Sequence, residues 1–213
     1  MKTIPASNGN FKFGRTQDIT YIVIHYTAND GDTAENNGIY FQNNVVKASA
    51  HYFVDENEVV RSVEDGDTAW HCGATSYRHL KCRNANSLGV ELCSRKDAEG
   101  SYYFLKQTEE NAAALVRQLM ETYNIPIENV LRHYDVTGKV CPAPFVENEP
   151  AWQAFLAELT QGQPSAWAKK GAAWAVEQGL IQGDGCGNFN WQDPVTREAL
   201  AVILHRYQIL QIH

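Results

Sequence analysis

Apolar positions along this chain fall into several short runs and one long periodic stretch. Ile19–His25 (ITYIVIH) is rich in β-branched residues, which predicts a buried central strand ending on a histidine. Ala50–Val54 and Val59–Val63 flank the polar segment Asp55–Glu58 and predict a hairpin. Ser87–Cys93 (SLGVELC) predicts another strand, with Glu91 set in an otherwise apolar run. An acid in that setting is costly unless it is paired or used. From Thr108 to Tyr123 the apolar residues Ala112, Leu115, Val116, Leu119, Met120 and Tyr123 recur at helical spacing, so a helix is expected there with Thr108 as its N-cap. Weaker patterns predict a helix over Thr33–Val46, a short strand near Val130–His133 and a helix over Ala151–Leu159. Asp65–Ala85 has no period and carries Gly, Ser, Asn and His, the profile of a long irregular loop that binds something.

The pattern changes after Thr160–Pro164 (TQGQP), which has the composition of a linker. Trp167–Gly179 predicts an Ala/Trp-rich helix, Gly183–Asn190 a polar turn, and Thr196–Tyr207 a second helix capped by Thr196. This unit of roughly 45 residues is near the size at which a lone core becomes marginal.

Composition narrows the classes. Over 213 residues the chain is 44% apolar and 20% charged, a globular profile. A formal net charge of −7 argues against a general nucleic-acid binder, which usually shows a basic face. No apolar run is long enough to span a membrane. The N-terminus MKTIPASNGNFKF lacks an apolar core, so no secretory signal peptide is expected. Synthesis is then cytoplasmic, and work outside the cell follows release through a holin, lysis or another export route. Five cysteines at irregular spacing, without a C-x-x-C pair, exclude a zinc ribbon and argue against a disulfide framework. Whether Cys72 and Cys82 pair is left open.

Candidate chemistry gathers in Leu131–Pro142 (LRHYDVTGKVCP), where His133 and Cys141 stand eight residues apart and Lys139 precedes the thiol by two. With His25 they make an N/N/S donor set, which suits zinc and leaves a fourth tetrahedral position for water. Each residue also has a plainer use. A strand-end histidine is commonly structural, a cysteine is commonly a buried thiol, Glu91 would pair with Lys139 or Arg132, and Lys139 would be solvated. His51 is expected to pack rather than ligate.

Five motifs occur in order: VIHYTA at Val23–Ala28, SAHYFVDENEVV at Ser49–Val60, AWHCG at Ala69–Gly73, NSLGVEL at Asn86–Leu92, and RH…GKVCP within Arg132–Pro142. Together they resemble the zinc-dependent N-acetylmuramoyl-L-alanine amidases of the type-2 class, which include phage lysozyme-like amidases, AmpD-like enzymes and peptidoglycan recognition proteins. The resemblance implies an α/β fold, a mixed central β-sheet flanked by helices over residues 1–160. It implies Zn2+ on His25, His133 and Cys141, and hydrolysis of the amide between N-acetylmuramic acid and L-alanine of peptidoglycan. Glu91 matches a strand-borne glutamate that handles the water proton, and Lys139 a lysine that faces the developing oxyanion. His71, Asn84 and Asn86 are expected on the substrate side. One departure is Ala50, which stands where the phage lysozyme-like members carry a tyrosine.

Residues 161–213 resemble a single S-layer homology repeat, carried by Trp174-Ala175-Val176, Gly179-Leu180-Ile181, the Gly183–Gly187 turn, Phe189 and Thr196-Arg197-Glu198. Such modules are similar to binders of secondary cell-wall polymers. A lone repeat cannot bury its own helix faces, so this helical module is expected to pack on another copy or on the amidase domain. The reading is a phage or prophage endolysin or an autolysin. Its alternatives are a non-catalytic peptidoglycan receptor of the same fold and a zinc amidase that recycles muropeptides. No nucleic acid and no membrane is expected as a partner.

Overall fold

The structure, a computed structural model, describes residues 1–160, 162, 164–183, 189–191 and 193–210. Gln161 and Gln163 of the linker, Cys186 with most of the polar turn, and His213 lie outside the described residues. The chain divides into two compact units, Met1–Leu159 and Thr160–His213.

The first unit is built on ten strands among the described residues: β1 (Lys2–Thr3), β2 (Phe11–Lys12), β3 (Tyr21–Tyr26), β4 (Tyr52–Val54), β5 (Val59–Arg61), β6 (Thr68–Ala69), β7 (Ser87–Leu92), β8 (Arg95–Lys96), β9 (Tyr102–Tyr103) and β10 (Val130–Arg132). Its helices are α1 (Ala34–Asn43), α2 (Lys106–Tyr123), α3 (His133–Thr137), α4 (Ala143–Val146) and α5 (Glu149–Thr160). Six strands form a sheet in the order β1-β5-β4-β7-β3-β10. The β4–β5 hairpin is antiparallel, whereas β7, β3 and β10 run parallel in the middle and at one edge. This is the mixed α/β sheet that the sequence pattern and the resemblance imply.

Strand alternation gives the sheet two different faces. Ile22 and Ile24 of β3, Leu88, Val90 and Leu92 of β7, and Tyr52 and Val54 of β4 pack into the main core. Ala112, Leu115, Val116 and Leu119 of α2 and Trp152, Phe155 and Leu159 of α5 cover them. Phe145 of α4 is fully buried at the centre of a ring cluster, 5.1–5.6 Å from Phe104, Phe155 and Trp152. Burying such a side chain contributes roughly 1.5–3 kcal/mol, and it anchors the segment that follows Cys141. The opposite face carries Tyr21, Val23 and His25 of β3 and Ser87, Gly89 and Glu91 of β7. Helix α1 packs on this face over Phe53 and Val60, and nearer the site the loop after Asp65 and the short α3 cover it, with Cys72, Cys82 and Val136 against Tyr21 and Val23.

That loop is pinned at both ends. Tyr52 and Tyr123 donate to the Asp65 carboxylate at 2.6 and 2.7 Å. Arg15 donates to the carbonyls of Asn84 and Ala85 at 3.3 Å and of Ser87 at 3.1 Å. Within the loop, β6 pairs with β2 (Phe11 opposite Ala69), and Ser49 accepts the Trp70 N–H at 3.0 Å. An irregular segment held this way can place a side chain precisely enough for chemistry.

Several boundaries differ from expectation: β3 runs one residue past His25, to Tyr26, and α1 ends at Asn43 rather than Val46. Helix α2 begins two residues before Thr108, capped by Leu105 without a side-chain hydrogen bond, and Thr108 lies buried in the first turn. Packing of that turn against the core overrides the local cap preference. Near the C-terminus the helix expected from Trp167 splits into a 3₁₀ turn, Ala166–Ala168, and α6 (Lys169–Glu177). Thr33 does cap α1, accepting the Asn36 N–H at 3.0 Å.

In the second unit α6 is followed by α7 (Arg197–Leu210), whose Thr196 side chain accepts the Ala199 N–H at 3.1 Å. Arg206 reaches back to the Leu180 carbonyl and the Gln182 amide oxygen, each at 3.1 Å. The Trp174 and Tyr207 rings meet edge to face at 6.5 Å. Helix α7 buries none of its residues, and Trp167 is 90% exposed. No helix among the described residues is long and apolar enough to cross a membrane.

Candidate metal centre and its cleft

Strand register brings the site together. Parallel pairing sets His25 of β3 beside Glu91 of β7. On the other side Arg132 of β10 pairs with Ile24, so the next residue, His133, comes level with His25. All three strands point their C-terminal ends the same way, the place where α/β sheets gather functional groups. Cys141 returns through a short excursion. Helix α3 stops at Gly138, whose φ of +87° is a left-handed conformation suited to glycine. The Tyr134 N–H then donates to the Cys141 carbonyl at 2.9 Å, folding the cysteine back over the histidine.

The ligand atoms of His25, His133 and Cys141 lie within 4.8 Å of one another, and all three residues are buried. His25 Nδ1 stands 3.7 Å from Cys141 Sγ. The His25 and His133 rings meet edge to face, with centroids 4.6 Å apart. His133 Nδ1 and Glu91 Oε2 are enclosed with no hydrogen-bond partner among the described residues. Buried orphans of this kind are uncommon and point to an ion or water. Two imidazoles, a thiol and an orphaned ring nitrogen fit a metal ion that prefers nitrogen and sulfur.

Electrostatics follow from enclosure. Burial drives the His25 imidazolium form far below its usual range, and neighbouring His133, His71 and Lys139 add to it. His133 is pushed down to about 4 by burial and by Lys139. Both rings are therefore neutral at pH 7 and able to ligate. Burial and the Glu91 charge push the Cys141 thiol up to about 12, against a hydrogen bond from the Tyr26 backbone and the Lys139 charge. Glu91 rises to about 8, chiefly by burial, with Lys139 opposing. No ion pair to Glu91 exists among the described residues: Arg132 instead pairs with Asp135 and Glu149 at 3.0 and 2.6 Å. The structural pairing with Arg132 is thus ruled out.

The candidate metal group opens onto a cleft of about 510 Å³ lined by Trp70, His71, Asn84, His133, Thr137 and Lys139, among others. Lys139 is exposed, with its charge felt at Glu91 and both histidines. His71 and Asn84 do reach the cleft wall, but both are engaged. The Asn84 side-chain oxygen accepts the N–H groups of His71 and Cys72 at 3.2 and 2.8 Å. His71 bonds through both ring nitrogens, to His25 and Ser87. Asn86 is not on the wall. Its amide braces the loop, accepting from Arg83 at 2.8 Å and donating to the Lys81 carbonyl at 3.1 Å. His51 packs as expected, fully buried, and accepts the Gly89 N–H at 2.9 Å. Among the described residues Cys72 and Cys82 are both free thiols, buried in one apolar cluster.

A family model described as N-acetylmuramoyl-L-alanine amidase matches residues 15–144. The chain belongs to the N-acetylmuramoyl-L-alanine amidase family. A second model, for the S-layer homology domain, matches residues 162–201. Among relatives of this amidase-family chain, a probable N-acetylmuramoyl-L-alanine amidase of Bacillus licheniformis is 39% identical over 142 residues, covering 63% of this chain and 39% of the relative. The amidase BlyA of Bacillus subtilis (strain 168) is 36% identical over 154 residues, covering 66% and 41%. The chain thus spans about two fifths of the length of these curated relatives. Solved structures similar to it include PlyL (31% identity, TM-score 0.62, 75% of this chain and 96% of that one) and the catalytic domain of XlyA (26% identity, TM-score 0.61, 74% and 97%). The match confirms the mixed α/β fold of the amidase domain.

Four participants carry no obvious signal as single letters. Asp135 caps α3 by accepting the Arg132 N–H at 2.8 Å, and Tyr134 lies under the Arg78 guanidinium at 4.5 Å. Ser87 and Gly89 share the inner face of β7 with Glu91. The period-two spacing Ser87, Gly89, Glu91 is the clue that marks that face in the sequence.

Proposed function

We propose that the chain is a zinc-dependent N-acetylmuramoyl-L-alanine amidase that cleaves the amide between N-acetylmuramic acid and L-alanine in peptidoglycan, as an endolysin or autolysin. The observation that carries this reading is the buried His25–His133–Cys141 group, with Glu91 beside it and a cleft in front. Tetrahedral zinc with two nitrogens and one sulfur sets neighbouring N and S donors about 3.6 Å apart, and the 3.7 Å between His25 Nδ1 and Cys141 Sγ suits it. His25, His133 and Cys141 would hold the ion, which when bound acidifies water and polarises a carbonyl.

The chain's own residues supply the rest. Glu91, with a pKa raised to about 8, can both take and return a proton near neutrality. It removes the proton of the attacking water at its carboxylate and delivers it to the departing amine of L-alanine. Lys139, at the exposed rim, sets its positive charge against the oxyanion that develops on the carbonyl. The Asn84 side chain and the His71 ring form the wall on which the substrate lies; both are already hydrogen-bonded within the protein, so they shape the cleft. An intact third ligand, Cys141, weighs against a silent receptor. The appended repeat weighs against a recycling enzyme, since a soluble muropeptide needs no wall anchor.

Purified protein loaded with zinc is expected to release stem peptides bearing a new free amine from cell walls, read by product mass. Release of reducing sugar ends without free-amine peptide would place the cut elsewhere and refute the proposal.

For residues 161–213 we propose a wall-directed module, binding a secondary cell-wall polymer and pairing with a second copy. Trp167, Leu200, Val202 and Leu204 are 90%, 45%, 48% and 59% exposed, which supports burial against a partner. Light scattering should give a dimer or larger; a strict monomer at high protein concentration would refute self-association.

A further inference from the structure

The hydrogen bonds behind His25 run in one direction, and that direction can be derived. The Ser87 hydroxyl lies 2.7 Å from the Arg83 carbonyl, which only accepts, so the single hydroxyl proton goes there. The Ser87 oxygen then accepts from His71 Nε2 at 3.1 Å, which places the proton of a neutral His71 ring on Nε2. His71 Nδ1 is left with its lone pair, 3.0 Å from His25 Nε2. His25 Nε2 must therefore carry a proton and donate it to His71. What remains on His25 is an unprotonated Nδ1, which is the nitrogen facing Cys141.

We propose that His71 is a positioning residue: through Ser87 and the Arg83 carbonyl it holds His25 in the tautomer whose Nδ1 is free for the metal. The inference rests on the metal reading above and deepens it. Metal-binding histidines gain orientation and basicity when their other nitrogen donates to a fixed acceptor. Here that acceptor is a second imidazole, itself locked by a serine rather than by a carboxylate, so the support adds no charge behind the ion.

The fold makes room for this device at one position. A Cβ added to Gly89 would stand 2.6 Å from the Cγ of His71, against the ring itself. Gly89 sits between Ser87 and Glu91 on the same face of β7, so three successive inner positions serve one site: a lock, a space and an acid. The two rings meet at 89° with centroids 5.2 Å apart, which fixes the plane of His25 as well as its tautomer.

Ring nitrogen chemical shifts from ¹⁵N NMR of the metal-free protein test the relay directly. Both His25 and His71 are expected as Nε2–H tautomers; His25 carrying its proton on Nδ1 would overturn the proposal. Zinc affinity, measured by competition with a chromophoric chelator, gives the second readout. His71→Leu removes the acceptor and is expected to weaken binding by about 10- to 100-fold. His71→Asn, which can return an acceptor to the Nδ1 position, should recover most of that loss, and Ser87→Ala should fall between. A parent protein that binds no zinc refutes the metal reading itself. A parent that binds zinc, with His71→Leu binding it equally tightly, refutes the relay alone.

Discussion

Replacing Cys141 by serine is expected to abolish both stable zinc binding and peptide release. The thiol is 3% exposed and lies 3.7 Å from His25 Nδ1. Its pKa is pushed up to about 12 by burial and by Glu91, so without an ion it stays a neutral thiol. A dication between it and the imidazoles would reverse that balance and hold the thiolate. Serine offers a hydroxyl that does not ionise near neutrality and a poorer match to zinc. Cys141→Asp separates ligation from packing, because a carboxylate can ligate zinc while filling similar space. It is expected to retain part of the metal and part of the activity. Metal content by mass spectrometry alongside stem-peptide release checks this. Cys141→Ser with full zinc and full activity would show that the thiol only packs.

Glu91→Gln is expected to lower turnover by about 100-fold or more while zinc content stays at that of the parent. The register that sets Glu91 beside His25 aims it into the site, and its Oε2 has no hydrogen-bond partner among the described residues. Glutamine keeps the size and the neutral character of a protonated carboxyl but cannot shuttle a proton. A structural role would give a different result: loss of folding stability with activity per folded molecule unchanged. Steady-state kinetics on walls, paired with urea unfolding, distinguishes the two. A fully active Glu91→Gln would remove Glu91 from the chemistry.

Much of the fold was legible because its signals are local. Ile19–His25 and Ser87–Cys93 are apolar runs that suit little besides buried strands, and the structure forms β7 within the second and β3 from Tyr21 to one residue past the first. The period of Ala112, Leu115, Val116 and Leu119 determined a helix and the face it buries. Its start was misplaced because Thr108 resembles a cap in isolation, whereas packing of the preceding turn decides the boundary. The two-residue strands β1, β2, β6, β8 and β9 have no period to detect. They exist only because a distant segment pairs with them.

For the site, residue chemistry and motif order in the sequence determined the candidates: His25, His133 and Cys141 as donors, and Glu91 and Lys139 beside them. Tertiary structure decided how they meet. The parallel registers of β3 with β7 and β10 bring His25 level with Glu91, 66 positions later in the chain, and with His133, 108 positions later. Asn86 shares the polar loop composition of Asn84, yet only Asn84 reaches the cleft, because their side chains bond to different stretches of backbone. His71, a substrate-side residue by motif, lines the cleft and also places its Nδ1 3.0 Å from His25 Nε2. A histidine's tautomer is set by what its second nitrogen touches, and that contact joins strands and a loop far apart in the chain. Composition and spacing can nominate a ligand, but only the folded arrangement assigns its proton.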